Sequence, residues 1–331
     1  MELVSKYLRY IKDIRRYSEK TVRNYESSLR DFAMQQHDGL RLEDVPDEAL
    51  AASMNVSEIR SYEVWMLENG YSSKTVNLHL SALSSFCRFL MKNGMLKSNP
   101  VHIITKPKVE KRVPVFFRRE AMDTYFDMTA WLLERDAFDA FLANHDTASG
   151  KEYYKDLLAR LVISMLYNLG IRRSELIGLK VGDVDFGRKV VKVHGKGDKR
   201  REIPLIVSLC EEILLYLEAV ETIGRGKRSL KEPLLVTYSD RGLYPSYVDR
   251  VVKGELGGVK GITGRKSPHV LRHSLATDLL NEGTDINSIK ELLGHSSLAA
   301  TQVYTHGSIA RLKNIYEQAH PMAKNGGKHG D

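Results

Sequence analysis

The chain of 331 residues is poor in cysteine and has no long hydrophobic run. Its two cysteines, Cys87 and Cys210, cannot form a disulfide framework or a cysteine-rich zinc site, and such scarcity is typical of a reducing compartment. No apolar segment reaches the roughly 18 residues that a membrane-spanning helix needs, and the first residues lack the layout of a signal peptide. We therefore expect a cytoplasmic protein that does not contact a membrane.

Several common catalytic motifs are also missing. The sequence has no P-loop and no Gly-x-Gly-x-x-Gly motif after a strand, so it predicts no nucleotide site. It lacks the Gly-x-Ser-x-Gly motif of many hydrolases. His269 and His273 are four residues apart, but no glutamate follows His269 and no third metal ligand is evident. We expect neither a cofactor nor a metal ion.

Positive charge is in modest excess and is concentrated in two short strips. Lysine and arginine number 50 against 42 acidic residues, which gives a net charge of +8. One strip lies between residues 97 and 119 and the other between residues 188 and 201, whereas residues 120–156 are acidic. A solvated linker and a solvated hairpin would explain the strips. A basic strip also fits the phosphates of a DNA duplex.

The first hundred residues have the periodicity of helices. Apolar side chains recur at spacings of three and four from Val22 to Phe32, which predicts one apolar helix face. The segment that begins at Tyr17 is echoed by the segment that begins at Tyr71, and each places a serine where a helix N-cap would lie. Lysines in the first turns, Lys20 and Lys74, could contact phosphates there. The alternative is two helices that merely begin alike.

Three segments are predicted along the chain. Residues 1–98 form a helical domain, residues 99–115 form a basic linker that three prolines keep extended, and residues 116–331 form a second, mixed domain. In the second domain, residues 157–167 are a strongly apolar helix. Two β-rich segments around Gly195–Asp198 predict a hairpin, and Ser267-Pro268 predicts the start of another helix.

Six polar residues of the second domain stand in distinctive local settings. They are Arg172, Lys196, His269, Arg272, His295 and Tyr304. Each has an ordinary structural explanation by itself, such as a surface salt bridge for an arginine. Together, two arginines, one lysine, two histidines and one tyrosine are what phosphoryl transfer without a metal ion requires.

These residues lie in motifs that resemble those of the tyrosine recombinase (phage integrase) family, and most closely its Xer branch. The matching segments are Tyr167-Asn168-Leu169-Gly170-Ile171-Arg172-Arg173-Ser174-Glu175-Leu176, Gly195-Lys196-Gly197-Asp198-Lys199-Arg200-Arg201, His269-Val270-Leu271-Arg272-His273, Leu292-Leu293-Gly294-His295 and Tyr304-Thr305-His306. They occur in the family's order. Two departures are small: Leu169-Gly170-Ile171 replaces the commoner Thr-Gly-Leu, and the acidic stretch 126–156 resembles an insertion.

The resemblance implies a mostly α fold with a small β-sheet, in which a helical core-binding (SAM-like) domain precedes a mixed α/β catalytic domain. It implies site-specific cleavage and rejoining of DNA through a 3′-phosphotyrosyl intermediate, without metal or ATP. Tyr304 would be the nucleophile, Arg172 and Arg272 would bind the phosphate, and His295 would donate a hydrogen bond to it. His269 would accept or orient the tyrosine proton, Lys196 would protonate the leaving 5′-oxygen, and Glu175 would orient Arg172 or His269.

Double-stranded DNA is the expected partner. The predicted DNA contacts are Lys20, Lys74, Lys106, Lys108, Lys111, Arg112, Lys199, Arg200 and Arg201. The resemblance also implies a homo- or hetero-tetramer on synapsed DNA, in which the segment 308–319 docks on a neighbouring protomer, although its amphipathic pattern also fits packing in cis. A second recombinase and a septal DNA translocase are further partners that it implies.

Other functions remain open at this stage. Chromosome dimer resolution is the role we expect, and the alternative is an integrase or excisionase of a mobile element. Residues 284–306 also read as a helix-turn-helix, which would suit a non-catalytic DNA-binding regulator, but such a regulator would not need Arg172, Lys196 or Tyr304. A topoisomerase of type IB would share the chemistry without needing a matched partner site.

Overall fold

The chain folds into two compact units, 1–112 and 113–331, called here the N-terminal unit and the C-terminal unit. The structure, a computed structural model, describes residues 2–109, 115–195 and 200–294. The division between the units falls inside the segment 99–115 that the sequence predicts as a linker. Helices dominate both units, and one small sheet lies in the C-terminal unit, so the predicted fold class is confirmed.

Within residues 2–109, the structure describes five α-helices of the N-terminal unit. They are α1 (Glu2–Arg9), α2 (Glu19–Gln36), α3 (Asp47–Ala52), α4 (Val56–Glu68) and α5 (Ser73–Lys92). Its core is rich in aromatic rings: Tyr7 meets Phe86 edge-on at 5.1 Å between ring centroids, and Phe32 meets Tyr62 at 5.2 Å. The apolar face predicted for α2 is present, since Leu29 and Phe32 are fully buried.

The two similar segments of the N-terminal unit are the starts of α2 and α5. Ser18 caps α2 by accepting a hydrogen bond from the backbone N–H of Thr21 at 3.2 Å. Ser72 caps α5 through the N–H of Thr75, also at 3.2 Å. A serine oxygen that accepts this bond satisfies one of the unpaired donors of the first helical turn. Both predicted N-caps are therefore confirmed.

The first part of the predicted linker belongs to the N-terminal unit. Residues Pro100–Ile103 form one 3₁₀ turn, capped by the side chain of Asn99, and Val101 and Ile104 are buried in the core of this unit. The side-chain amide of Asn77 donates to the carbonyl of Pro107 at 3.0 Å. The prediction of an extended connector from residue 99 was wrong, because the apolar residues between the prolines pack against the helices.

The C-terminal unit surrounds a long buried helix. Among its described residues, the helices are α6 (Arg119–Met128), α7 (Arg135–Asn144), α8 (Ala148–Leu169), α9 (Arg173–Gly178), α10 (Val207–Val220), α11 (Pro245–Glu255), α12 (Pro268–Asn281) and α13 (Ile286–Leu293). Every residue from Leu157 to Leu169 is buried, and α10, α11 and α12 pack against α8. A helix that is apolar on all sides is expected at the centre of a helical domain.

Three antiparallel strands lie beside these helices in the order β1 (Val184–Asp185), β2 (Val190–His194) and β3 (Arg200–Pro204). The register pairs Val190 with Pro204 and His194 with Arg200. Alternate residues of β3 face the core, so that Arg201 and Ile203 are buried while Arg200 is exposed. The two predicted β-segments are confirmed, and the turn between them, 196–199, lies outside the described residues.

The acidic segment 126–156 is packed onto the C-terminal unit. It contains α7 and the start of α8, and Phe138 and Phe141 are buried in the main core. The ring of Tyr153 stacks on Phe141 at 5.1 Å between centroids. The aromatic residues thus hold the segment against the core, while its carboxylates, except that of the partly buried Asp156, are exposed. Among the helices that the structure describes, none is long and apolar enough to cross a membrane.

Candidate active site

The turn after α8 brings the first arginine motif to the surface of the core. Gly170 ends α8 in the left-handed conformation, with φ +56°. A Cβ on this residue would lie 2.6 Å from Cδ2 of Leu293 and 2.9 Å from Cδ2 of Leu275. Glycine avoids both the conformational strain and the clash. The chain can therefore turn sharply between the buried helix and Arg172.

Gly170→Ala is expected to destabilise the C-terminal unit by about 2–5 kcal/mol, since a left-handed alanine costs about 1–2 kcal/mol and overpacking about 1–3 kcal/mol. The chain has one tryptophan in each unit, Trp65 and Trp131. Urea unfolding followed by Trp131 fluorescence in a Trp65→Phe background measures this unit alone. The matched control is Gly283→Ala: Gly283 has φ +85°, and a Cβ added there would meet none of the described atoms within 4 Å. Equal losses for the two variants would contradict the packing argument.

Arg172 is held by Glu175 at the start of α9. One carboxylate oxygen of Glu175 accepts the backbone N–H of Arg172 at 2.9 Å, and the other accepts from Nη1 of the same arginine at 2.7 Å. The side chain of Glu175 is 3% exposed, whereas that of Arg172 is 35% exposed. Burial alone would raise the pKa of the Glu175 carboxyl, but hydrogen bonds from Arg201 and Arg172 lower it to about 2. Glu175 is therefore an ionised group that fixes Arg172.

Arg201 does not lie where the sequence predicted it. Its side chain is 6% exposed and donates to both oxygens of Glu175, at 3.1 Å and 2.8 Å. Its Nε donates to the carbonyl of Leu292 at 3.0 Å. The prediction that Arg201 contacts DNA was wrong, because its donors face the protein interior. The signal was present in the sequence: two-residue alternation in β3 places residue 201 on the same face as Ile203.

Arg272 lies in the first turns of α12 and is 7% exposed. Its Nη1 donates to the carbonyl of Gly170 at 2.6 Å, and its Nη2 to the carbonyl of Leu293 at 2.5 Å. Burial, followed by the positive charges of Arg172 and Arg201, lowers the pKa of Arg272 to about 10. The guanidinium remains charged at neutral pH. In the part of the chain that the structure describes, no carboxylate forms a salt bridge with it.

Three arginines thus converge on the end of α13. The carbonyls of Leu292, Leu293 and Gly294 accept from Arg201, Arg272 and Arg172 respectively. These carbonyls lie at a helix C-terminus, which carries partial negative charge and has no partners within the helix. Gly294 ends the helix with φ +63°. The cluster of three guanidiniums and the one carboxylate of Glu175 carries a net charge of +2.

The remaining predicted catalytic residues have different outcomes. His269 is exposed on α12, one turn before Arg272. Lys196, His295 and Tyr304 lie outside the described residues. Lys196 follows the end of β2 by two residues in the sequence, and His295 follows the end of α13 by two. The structure therefore brings Arg172, Glu175 and Arg272 together and describes the elements from which the segments with Lys196 and His295 continue.

The predicted DNA contacts are distributed over both units. Lys20 and Lys74 are exposed in the first turns of α2 and α5, beside the serine caps, and Lys106, Lys108 and Arg200 are also exposed. Lys111, Arg112 and Lys199 lie outside the described residues. Exposed lysines next to the free N–H groups of a helix start suit contacts with phosphates. Within residues 2–109, 115–195 and 200–294, no group of three or more potential ligands could hold a metal ion.

Sequence reasoning missed the backbone groups of the site. The carbonyls of Gly170, Leu292, Leu293 and Gly294 accept hydrogen bonds from the arginines. Every residue has a backbone carbonyl, so residue types do not predict which carbonyls take part. The glycines themselves were a usable signal, because glycine is common where a helix ends in the left-handed conformation. In both motifs a glycine follows an apolar helix and closely precedes a predicted catalytic residue.

The chain is similar to known proteins over nearly its whole length. The model of the phage integrase family matches residues 132–311, and that of the phage integrase N-terminal SAM-like domain matches residues 4–94. The tyrosine recombinase XerC of Chlorobaculum parvum is 34% identical over 328 residues, which cover 96% of this chain and 94% of that protein. The chain belongs to the phage integrase family, within which it is a Xer-like tyrosine site-specific recombinase.

Solved structures show the same fold at lower identity. The XerH site-specific recombinase, bound to a palindromic difH substrate after cleavage, matches with a TM-score of 0.60 at 20% identity, covering 95% of this chain and 84% of that chain. A lambda integrase tetramer bound to a Holliday junction matches with a TM-score of 0.59 at 18% identity, covering 92% and 79%. Both of these neighbours are recombinases in complexes with DNA.

Proposed function

We propose that the arginine cluster binds the scissile phosphate of duplex DNA and that Tyr304 cleaves the strand beside it. The observation that carries this proposal is the convergence of Arg172 and Arg272 on one end of α13, with Glu175 fixing the first of them. The transition state of phosphodiester cleavage carries more negative charge on its non-bridging oxygens than the ground state does. A net charge of +2 in a partly buried site stabilises that added charge.

The proposed reaction is a transfer of the phosphoryl group from the DNA to the protein. The phenol oxygen of Tyr304 attacks phosphorus, and its proton passes to His269. The bond from phosphorus to the 5′-oxygen breaks, and Lys196 protonates that oxygen. His295 donates a hydrogen bond to a non-bridging oxygen, so that the products are a 3′-phosphotyrosyl link and a 5′-hydroxyl. The attack of a 5′-hydroxyl reverses the steps, which is why rejoining needs no ATP.

The function is tested with nicked duplexes that trap the cleaved state, because the short fragment beyond the nick diffuses away. The sites come from selecting bound sequences out of a random duplex library. We expect a covalent protein–DNA adduct that survives denaturant and forms in EDTA without ATP. Failure to form it on any selected site, or its dependence on ATP, would overturn the proposal.

Lys196→Ala is expected to slow cleavage by about 10²- to 10⁴-fold, since it removes the proposed general acid. A substrate with a 5′-bridging phosphorothioate should restore the rate, because a thiolate leaves without being protonated. Single-turnover adduct formation measures both rates. Lys151→Ala, at an exposed lysine of α8, serves as the control with unchanged rates on both substrates. A defect of equal size on both substrates would exclude the general-acid role.

Exposed basic residues of each unit are further candidates for contact with DNA. We assign phosphate contacts to Lys20 and Lys74 at helix starts, to Lys106 and Lys108, and to Arg200 on β3. The same role is proposed for Lys111, Arg112 and Lys199. Each phosphate contact releases condensed counterions, so removing one lowers the dependence of DNA affinity on salt.

The proposed biological role is resolution of chromosome dimers in the cytoplasm. It is supported by the relatives named XerC, which match nearly the whole chain. By analogy with the tetrameric lambda integrase complex, the active form would be a tetramer on synapsed DNA, held together by the segment 308–319. A second recombinase and a septal DNA translocase would be its partners. A plasmid that carries two copies of the selected site reports this resolution directly.

A further inference from the structure

The carboxylate of Glu175 is shared between two arginines. Arg172 approaches it from the N-cap position of α9 and Arg201 from β3, and together they donate four hydrogen bonds to its two oxygens. Arg201 uses both terminal nitrogens on Glu175 and its Nε on the carbonyl of Leu292. The side chain is 6% exposed. Every nitrogen of the Arg201 guanidinium therefore donates a hydrogen bond within the protein.

The second arginine changes the charge of the site. If Glu175 paired with Arg172 alone, the two charges would cancel, and Arg172 would offer little net charge to a phosphate. Arg201 supplies a second positive charge to the same carboxylate, so the trio carries a net charge of +1. In a buried environment, a net charge of +1 instead of zero attracts a phosphate strongly, because the effective dielectric constant is lower than that of water.

Arg201 also connects the strand that follows Lys196 to the end of the helix that precedes His295. It lies on β3 opposite Val193 of β2, five residues after Lys196 in the sequence. Through the carbonyl of Leu292 it holds α13, where the carbonyls of the next two residues receive Arg272 and Arg172. The side chain of Arg201 thus links β3, which follows the turn with Lys196, to the end of α13, which precedes His295.

We propose that Arg201 is a positioning residue for DNA cleavage: by balancing Glu175, it fixes Arg172 and leaves the positive charge of Arg172 available to the scissile phosphate. The inference deepens the proposed function and rests on it. A lysine would not replace Arg201, because one ammonium group cannot span both carboxylate oxygens and the Leu292 carbonyl in the planar geometry of a guanidinium.

The test compares Arg201→Lys and Arg201→Ala with wild type in single-turnover adduct formation at saturating nicked duplex. We expect cleavage to slow by about 10-fold for the lysine and by about 10²-fold for the alanine, since misplacement by about 1 Å costs about 10²-fold. The dissociation constant for DNA should change by less than about 2-fold. The matched control is Arg160→Lys, which alters another buried arginine, paired with Glu212 at 3.4 Å, and should leave the cleavage rate unchanged.

A second substrate separates positioning from general structural damage. In a duplex with one methylphosphonate at the scissile position, the reacting group is neutral and gains less from the charge of Arg172. For both separated diastereomers, we expect the ratio of wild-type to Arg201→Lys rates to fall below about 3. A loss of folding stability would affect both substrates equally.

The outcomes distinguish this inference from the function on which it rests. Absence of an adduct with wild-type protein would overturn the proposed function. A wild type that cleaves, together with an Arg201→Lys variant that cleaves equally fast, would overturn the positioning role alone. The same holds if the Arg201→Lys defect is undiminished on the methylphosphonate duplex, or if Arg160→Lys shows the same defect.

Discussion

Replacing Tyr304 with phenylalanine is expected to abolish the covalent protein–DNA adduct, with a loss of cleavage on the order of 10⁶-fold. The change removes one oxygen atom and keeps the ring, so the side chain stays nearly the same in size and shape. No other step of the proposed reaction can proceed without that oxygen, because it forms the bond to phosphorus. Denaturing gels of wild-type and variant reactions on the nicked duplex measure the effect, and DNA binding should be retained.

The control for this prediction is a tyrosine with an exposed hydroxyl group that the mechanism does not use. Tyr244 is 44% exposed, and its hydroxyl accepts from Arg250 at 2.7 Å. Tyr244→Phe should form the adduct at the wild-type rate. Peptide mapping of the wild-type adduct gives a second check, since the nucleotide must be attached to the peptide that contains residue 304. An adduct of normal yield in Tyr304→Phe would show that another residue is the nucleophile.

The helices of the fold were largely predictable, because local patterns determine where they begin and which face they bury. Ser18 and Ser72 occupy predicted N-caps, and α12 begins at Ser267-Pro268 as expected, with Pro268 as its first residue. These signals act within a few residues of the chain. The extended conformation predicted for residues 100–104 is wrong for the same reason: prolines and charges are local signals, whereas the packing of Val101 and Ile104 depends on the core that the helices of this unit form.

The site was predictable in its residue types but not in its connections. The motifs identified Arg172, Glu175 and Arg272, and the structure shows that they share one cluster. Arg201 was assigned to DNA because it lies in a basic run, although strand alternation turns it inward. Charge counts treat neighbouring residues alike, and the two-residue period of a strand separates Arg200 from Arg201. The carbonyl partners required the fold itself, since three of the four arginine–carbonyl hydrogen bonds join residues between 91 and 122 positions apart.

Replacing Arg272 with lysine is expected to slow cleavage by about 10³-fold. This is the upper end of the range of about 10²- to 10³-fold that the loss of one oxyanion-hole donor costs. The guanidinium bridges the carbonyls of Gly170 and Leu293, and its rigid plane fixes where its remaining donors lie. A lysine would keep neither of these two hydrogen bonds. Its pKa would start near 10.4 and would be lowered by the same burial and neighbouring charges that act on Arg272, so it would hold a proton less firmly.

Single-turnover rates between pH 6 and pH 9 test both parts of the Arg272→Lys prediction. The wild-type rate should show no loss that is due to this side chain over that range, because the pKa of Arg272 is about 10. The variant should lose further activity as the pH rises and its ammonium group deprotonates. Arg135→Lys, at an exposed arginine paired with Asp139 on α7, provides the matched control with wild-type rates. A variant within about 10-fold of wild type would show that positive charge alone suffices at this position, and that the bidentate hold on the two carbonyls is dispensable.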